Sequence, residues 1–190
     1  TVVVFEDLLY NGVEVGSHAD IHDEDQSVHY PDLGTQAKNQ ATGTQEAAAN
    51  KSVTILDTVS YKNLIPGQEY TIKGILMDKG IGKELLVGDK TVTAEKTFTP
   101  EKADGSVELA FTFDGSTLTG KTVVAFERLY VAEKEVAAHA DITDKGQTVE
   151  FPVPEIGTQA KDKDTGSQQG IAKEQTAIID TVSYKGLVPG

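Results

Sequence analysis

His139-Ala140-Asp141-Ile142-Thr143-Asp144-Lys145-Gly146-Gln147-Thr148-Val149-Glu150-Phe151 gathers a histidine, two aspartates and a glutamine ahead of a β-rich tail. The same arrangement stands earlier as His18-Ala19-Asp20-Ile21-His22-Asp23-Glu24-Asp25-Gln26-Ser27-Val28-His29-Tyr30. In both copies Gln follows His by eight positions and an Asp by three. Two copies of one polar pattern, each running into a strand, mark a repeated β-unit, and the periodicity fixes the reading of everything around it.

Outward from this stretch the repeat extends in both directions. Glu6 and Glu127 are related by the same shift of 121 residues as His18 and His139, whereas Thr35/Thr158 and Asp57/Asp180 are related by 123. The two extra residues fall in the connector after the glutamine. The chain therefore divides into the end of one repeat (1–31), a whole repeat (32–154) and the start of another (155–190), and is expected to be a window from a longer array. The central unit is of ordinary size for a domain with its own core.

Each segment of the central unit is short and rich in β-branched and aromatic residues. Val53, Ile55, Asp57, Val59 and Tyr61 alternate onto one strand face, Leu33, Thr35 and Ala37 onto another, and Val123, Ala125, Glu127 and Leu129 onto a third. Further strands are predicted near 70–77, 91–98 and 107–113, separated by Gly, Pro, Asp and Lys. No helical period is sustained, and the three alanines at 47–49 are too few to nucleate a helix. The pattern predicts an all-β, immunoglobulin-like β-sandwich of seven to nine strands, repeated in tandem.

Net charge is −13 and there is no Cys or Trp. The charge opposes binding to nucleic acid or anionic membranes. Without cysteine there is neither a disulfide nor a thiolate metal site, and no metal or cofactor is expected. An extracellular array without disulfides calls for another kind of staple.

Polar residues on apolar faces supply a candidate. Thr35 carries a hydroxyl nucleophile and Gln147 a carboxamide electrophile, and Gln147 shares its face with Val149 and Phe151. A hydroxyl needs a base, for which His139 is suited, oriented by Asp144 or Asp141. Strand parity sets His139 with Asp141 and against Ala138, Ala140 and Ile142 and does not by itself place it with Thr35, Asp57, Glu127 and Gln147; a bulge at 144–146 could re-aim it. Asp57 and Glu127, two acids on apolar faces, would share a proton and polarise the amide carbonyl. Collapse would expel ammonia and leave a Thr–Gln ester.

At this point a family resemblance becomes specific. Thr122-Val123-Val124-Ala125-Phe126-Glu127 resembles the signature of VaFE-type repeats, and the whole unit is similar to the Thr–Gln ester-bond domains of Gram-positive surface adhesins. Thr35, Asp57, Glu127, His139, Asp144 and Gln147 fill that family's positions in order; Thr42 and Thr44 stand close by as other hydroxyls. The resemblance implies an autocatalytic, single-turnover cross-link, not an enzyme, in a secreted, cell-wall-anchored stalk whose partners are neighbouring repeats. Glu6, His18, Asp23 and Gln26 would be the same site's remnant in the first segment, and Thr158 and Asp180 in the last. An uncross-linked binding sandwich, an isopeptide-linked pilin-type domain and a hydrolase built on Thr35 and His139 are the alternatives. The isopeptide needs an inward lysine on the first strand, where Lys38 has the wrong parity.

Overall fold

The computed structural model describes residues 1–189. Between residues 32 and 151 two facing sheets are built mainly from eight strands: β1 (Asp32–Asn39), β2 (Val53–Lys62), β3 (Tyr70–Asp78), β4 (Thr93–Phe98), β5 (Gly105–Phe113), β6 (Thr122–Val131), β7 (Lys134–His139) and β8 (Thr148–Glu150), with the two-residue strand Lys83–Glu84 added to β3 and a small pair, Leu86–Val87 with Lys90–Thr91, beside it. One sheet has the order β5-β2-β1 and the other β4-β3-β6, with β7 and β8 sharing the free edge of β6. All these pairings are antiparallel. The architecture is the expected immunoglobulin-like sandwich.

Alternation decides what goes inside. In β2, Val53, Ile55, Asp57, Val59 and Tyr61 are buried while Thr58, Ser60 and Lys62 face solvent. Ile55, Leu109 and Phe111 of one sheet meet Ile72, Leu76 and Leu129 of the other, and Val149 and Phe151 close the end. At Gly74 a Cβ would lie 2.5 Å from the tip of Phe111, so the bare backbone is what admits that ring. Gly74 pairs with Glu127 across β3 and β6, which puts an aromatic wall beside an acid.

The open edge of β1 turns toward β7 and β8. Ala37 N–H donates to Gly146 O (3.0 Å). The 44–47 connector forms no helical turn: Glu46 makes a parallel bridge to Glu150 instead. First strand and last strand thus meet at one seam although they belong to different sheets.

The flanking segments are hairpins. Glu6–Tyr10 pairs with Val13–His18 through an Asn11-Gly12 turn in the left-handed region, and Glu155–Asp162 pairs with Ile178–Lys185. Their register copies the central unit, down to a β-irregularity at Leu8/Leu9 matching Leu129/Tyr130. Their apolar faces are bare: Leu8 is 66% exposed where Leu129 is 0%, and Ile178 is 74% exposed where Ile55 is 0%.

Candidate functional site

Four side chains converge inside the sandwich from four elements. Asp57 (β2), Glu127 (β6) and Gln147 (just before β8) are fully buried. The Thr35 hydroxyl (β1) is buried without a hydrogen-bond partner, as are both Asp57 oxygens, Glu127 Oε1 and Gln147 Oε1. Buried polar atoms are nearly always paired, so a cluster of five atoms that find no donor among fixed hydrogens marks a site; a proton held between Asp57 and Glu127 pairs the two acids with each other. The contact drawn among them joins Gln147 Nε2 to Glu127 Oε2.

Burial from water raises the Asp57 carboxyl above the usual carboxylate range. For Glu127, burial comes first and the adjacent Asp57 carboxyl adds to it, pushing the group up to about 10. Glu127 is therefore a neutral acid at physiological pH, able to donate a proton to a hydrogen bond.

His139 enters the site by register. It pairs directly with Glu127 across β6 and β7, and opposed residues point to the same face. Ala138 and Ala140, which parity set against it, are the exposed set. No bulge at 144–146 is needed: residues 140–147 form a turn, and Asp144 reaches back so that Oδ2 lies 2.7 Å from His139 Nε2. His139 Nδ1 lies 3.3 Å from Leu33 O, two residues before Thr35 on β1. The ring stands beside β1, the strand of Thr35, but is bonded to its backbone, not to the hydroxyl. Of the two acids considered for His139, Asp144 carries the contact, which with the Gly146 N–H holds its carboxyl below the usual range. Asp141 is occupied by the Thr143 N–H and hydroxyl.

The nearby hydroxyls are elsewhere. Thr42 and Thr44 bond to each other in a turn, and Thr42 also donates to Glu46 O (3.1 Å). Lys38 is exposed. Lys121 and Asp78 form an ion pair (2.8 Å), with the Asp78 carboxyl held low by the ammonium. Among the described residues no group of three or more His, Asp or Glu could hold a metal ion, and no helix is long and apolar enough to cross a membrane.

The first segment repeats half of the arrangement. Glu6 pairs with His18, His18 Nε2 lies 2.5 Å from Asp23 Oδ2, and Gln26 Oε1 is buried and unpaired. In the last segment Thr158 faces Val182 and Ala160 faces Asp180, matching Thr35/Val59 and Ala37/Asp57. There Thr158 and Asp180 are exposed.

One residue that sequence reasoning passed over belongs here. Gln45, in the connector, donates through Nε2 to Lys145 O (2.6 Å), Gly146 O (3.1 Å) and Thr148 O (2.7 Å). Its signal was available: Gln168 occupies the same place 123 residues on.

Fold and site together define an immunoglobulin-like sandwich whose dry interior holds a hydroxyl, an acid pair and a carboxamide between its first and last strands. The model of the family described as "T-Q ester bond containing domain" matches residues 1–30, 31–151 and 154–190, and the chain belongs to that family. Among solved structures it is similar to a bacterial adhesin from Mobiluncus mulieris containing intramolecular disulfide, isopeptide and ester bond cross-links, seen in two crystal forms. The TM-score is 0.56 to each, with 13% and 15% identity over 82% of this chain and 77% and 76% of that one. Likeness at that identity is a likeness of fold. No curated protein matches the chain.

The acid pair has a consequence for stability. Glu127 is neutral when folded up to about pH 10 but ionises above its ordinary value of 4.5 when unfolded. In that window the folded chain binds the extra proton, so stability is fully present below the unfolded value and is lost as pH rises toward the folded one. In a Thr35→Ala chain, the unfolding free energy falls by up to about 1.4 kcal/mol per pH unit between pH 6 and 9. Adding Glu127→Gln flattens this slope. Denaturant titrations across that range test it, and parallel profiles for the two chains would refute the assignment.

Proposed function

We propose that residues 32–154 form a self-cross-linking structural unit, one repeat of a tandem array, that closes an ester between Thr35 and Gln147. The observation that carries this is the unpaired, buried Thr35 hydroxyl in the same dry interior as a buried carboxamide and a buried acid pair.

The chemistry follows from the residues. The Thr35 oxygen attacks the Gln147 side-chain carbonyl carbon while its proton passes to the imidazole of His139, which turns from Leu33 O and is held by Asp144. Neutral Glu127 donates to the carbonyl oxygen as negative charge develops there, Asp57 sharing the proton. For this the carboxamide turns over, exchanging its isosteric NH2 and O ends. The C–N bond breaks, the nitrogen takes the proton from the imidazolium, and ammonia leaves. The reaction runs once per chain and has no outside substrate.

Such a bond ties the first strand to the last, the two ends through which tension enters a domain in a string. Force then bypasses the strand ladders. The family membership and the adhesin of similar fold support a place on a bacterial surface. In this reading the chain is part of a secreted, wall-anchored stalk of a Gram-positive cell, with neighbouring repeats as its partners. Residues 1–31 and 155–190 are parts of the adjoining repeats, and their bare apolar faces fit strands supplied by the rest of the array.

Intact mass of the 190-residue chain tests the bond. It is expected to be lighter by one ammonia, and hydroxylamine is expected to restore a linear chain with a hydroxamate at Gln147. An ammonia loss that survives hydroxylamine would mean an isopeptide, and an unaltered mass would mean an uncross-linked sandwich.

A further inference from the structure

We infer that Gln45 is a positioning residue for the Thr35–Gln147 ester. The inference rests on the proposed cross-link and concerns a side chain outside its reacting set. Three carbonyls, of Lys145, Gly146 and Thr148, converge on Gln45 Nε2. Only the nitrogen end of an amide can face three acceptors, so the orientation of this side chain is fixed by its surroundings. Two of the carbonyls precede Gln147 and one follows it.

The remaining bonds of the turn make the grip two-sided. Gly146 O also accepts from Ala37 N–H, on the strand that carries Thr35. Gln147 O accepts from Ala125 N–H (3.1 Å) on β6, the strand of Glu127. Gly146 N–H donates to Asp144 (2.6 Å), the partner of His139. A Cβ at Gly146 would meet Thr35 O at 3.4 Å, so the turn lies directly against the nucleophile's backbone. Every peptide carbonyl from Lys145 to Thr148 is therefore held, and Gln45 holds three of the four. Its task is to keep the carboxamide at one depth and angle over β1, where small misplacement is costly: about 1 Å can lose a hundredfold in rate.

The contact is separable from the fold. The backbone of the connector is pinned independently, by Glu150 N–H to Gln45 O (2.8 Å) and Ala47 N–H to Glu150 O (2.9 Å). Gln45→Ala removes the side-chain grip and leaves those bonds.

A loosened Gln147 has two fates. Attack by Thr35 gives the ester and ammonia. Attack by water on the same carbonyl also releases ammonia but turns the Gln147 side chain into a carboxylic acid. The first product is lighter than the parent by one ammonia, and the second heavier by the difference between an oxygen atom and an NH group. Full-length wild-type and Gln45→Ala chains, freshly made by cell-free translation, are to be sampled by intact mass over minutes to days. Wild type is expected to give the ester alone. Gln45→Ala is expected to close it roughly tenfold to a hundredfold more slowly, with a share diverted to the acid. Gln45→Glu, of the same size but presenting acceptors to acceptors, is expected to behave like Gln45→Ala; it serves as the variant of record if Gln45→Ala does not fold. Closure at the wild-type rate without acid in the folded variants would overturn the role of Gln45. If wild type itself never loses ammonia, the ester reading falls and this one with it.

Discussion

Thr35→Ala and Gln147→Ala are each expected to abolish the ammonia loss and lower the melting temperature by roughly 15–25 °C, while leaving the sandwich folded. The size comes from topology. A link from Thr35 to Gln147 closes 112 residue steps of chain. By the chain-entropy model such a loop removes roughly 4–5 kcal/mol of freedom from the unfolded state. For a domain of this size each kcal/mol moves the midpoint by about 3–6 °C. The two variants delete different atoms, one at a strand edge and one in the core, so a shared loss is the signature of the bond itself. Thr42→Ala is the control: its hydroxyl sits in the 42–46 turn, bonded to Thr44 and Glu46. Intact mass and calorimetry read both quantities, and a Gln147→Ala chain that melts with the parent would remove the cross-link from the account.

The second large effect is kinetic. Glu127→Ala is expected to slow bond formation by about a hundredfold to a thousandfold, the usual loss when one donor to a developing oxyanion is deleted. Glu127 is the group in hydrogen-bond contact with the Gln147 carboxamide and the one pushed up to about 10 by burial and by Asp57. In the proposed reaction its removal leaves Asp57 alone and takes away the donor to the turned-over carbonyl. A time course of intact mass measures the rate, and full closure at the parental rate would show that polarisation comes from elsewhere.

Strand parity carried most of the site. Thr35, Asp57 and Glu127 interrupt apolar faces with a period of two, and a strand has no other way to place them than inward. The duplication in Glu6 and Asp180 separated signal from accident. His139 was harder because its orientation depends on a pairing with Glu127, and cross-strand register is not written in local alternation. The Asp144 turn was legible as a recurring spacing, but not which nitrogen of His139 it meets. Gln45 was opaque for another reason. It sits in an irregular connector about a hundred residues from the carbonyls it holds, and only the folded seam between β1 and β8 brings them together. Its repetition as Gln168 was visible, yet without the fold that repetition had no chemistry attached.

The two buried acids are supplied by opposite sheets, Asp57 by β2 and Glu127 by β6, and both lie at zero exposure. Neither is perturbed until both sheets have closed and water has gone. A nascent or misassembled chain therefore has ordinary, ionised carboxylates and an inert glutamine. In the proposed reaction the bond would then be a record of correct assembly: a chain that has not packed both sheets together would not form it.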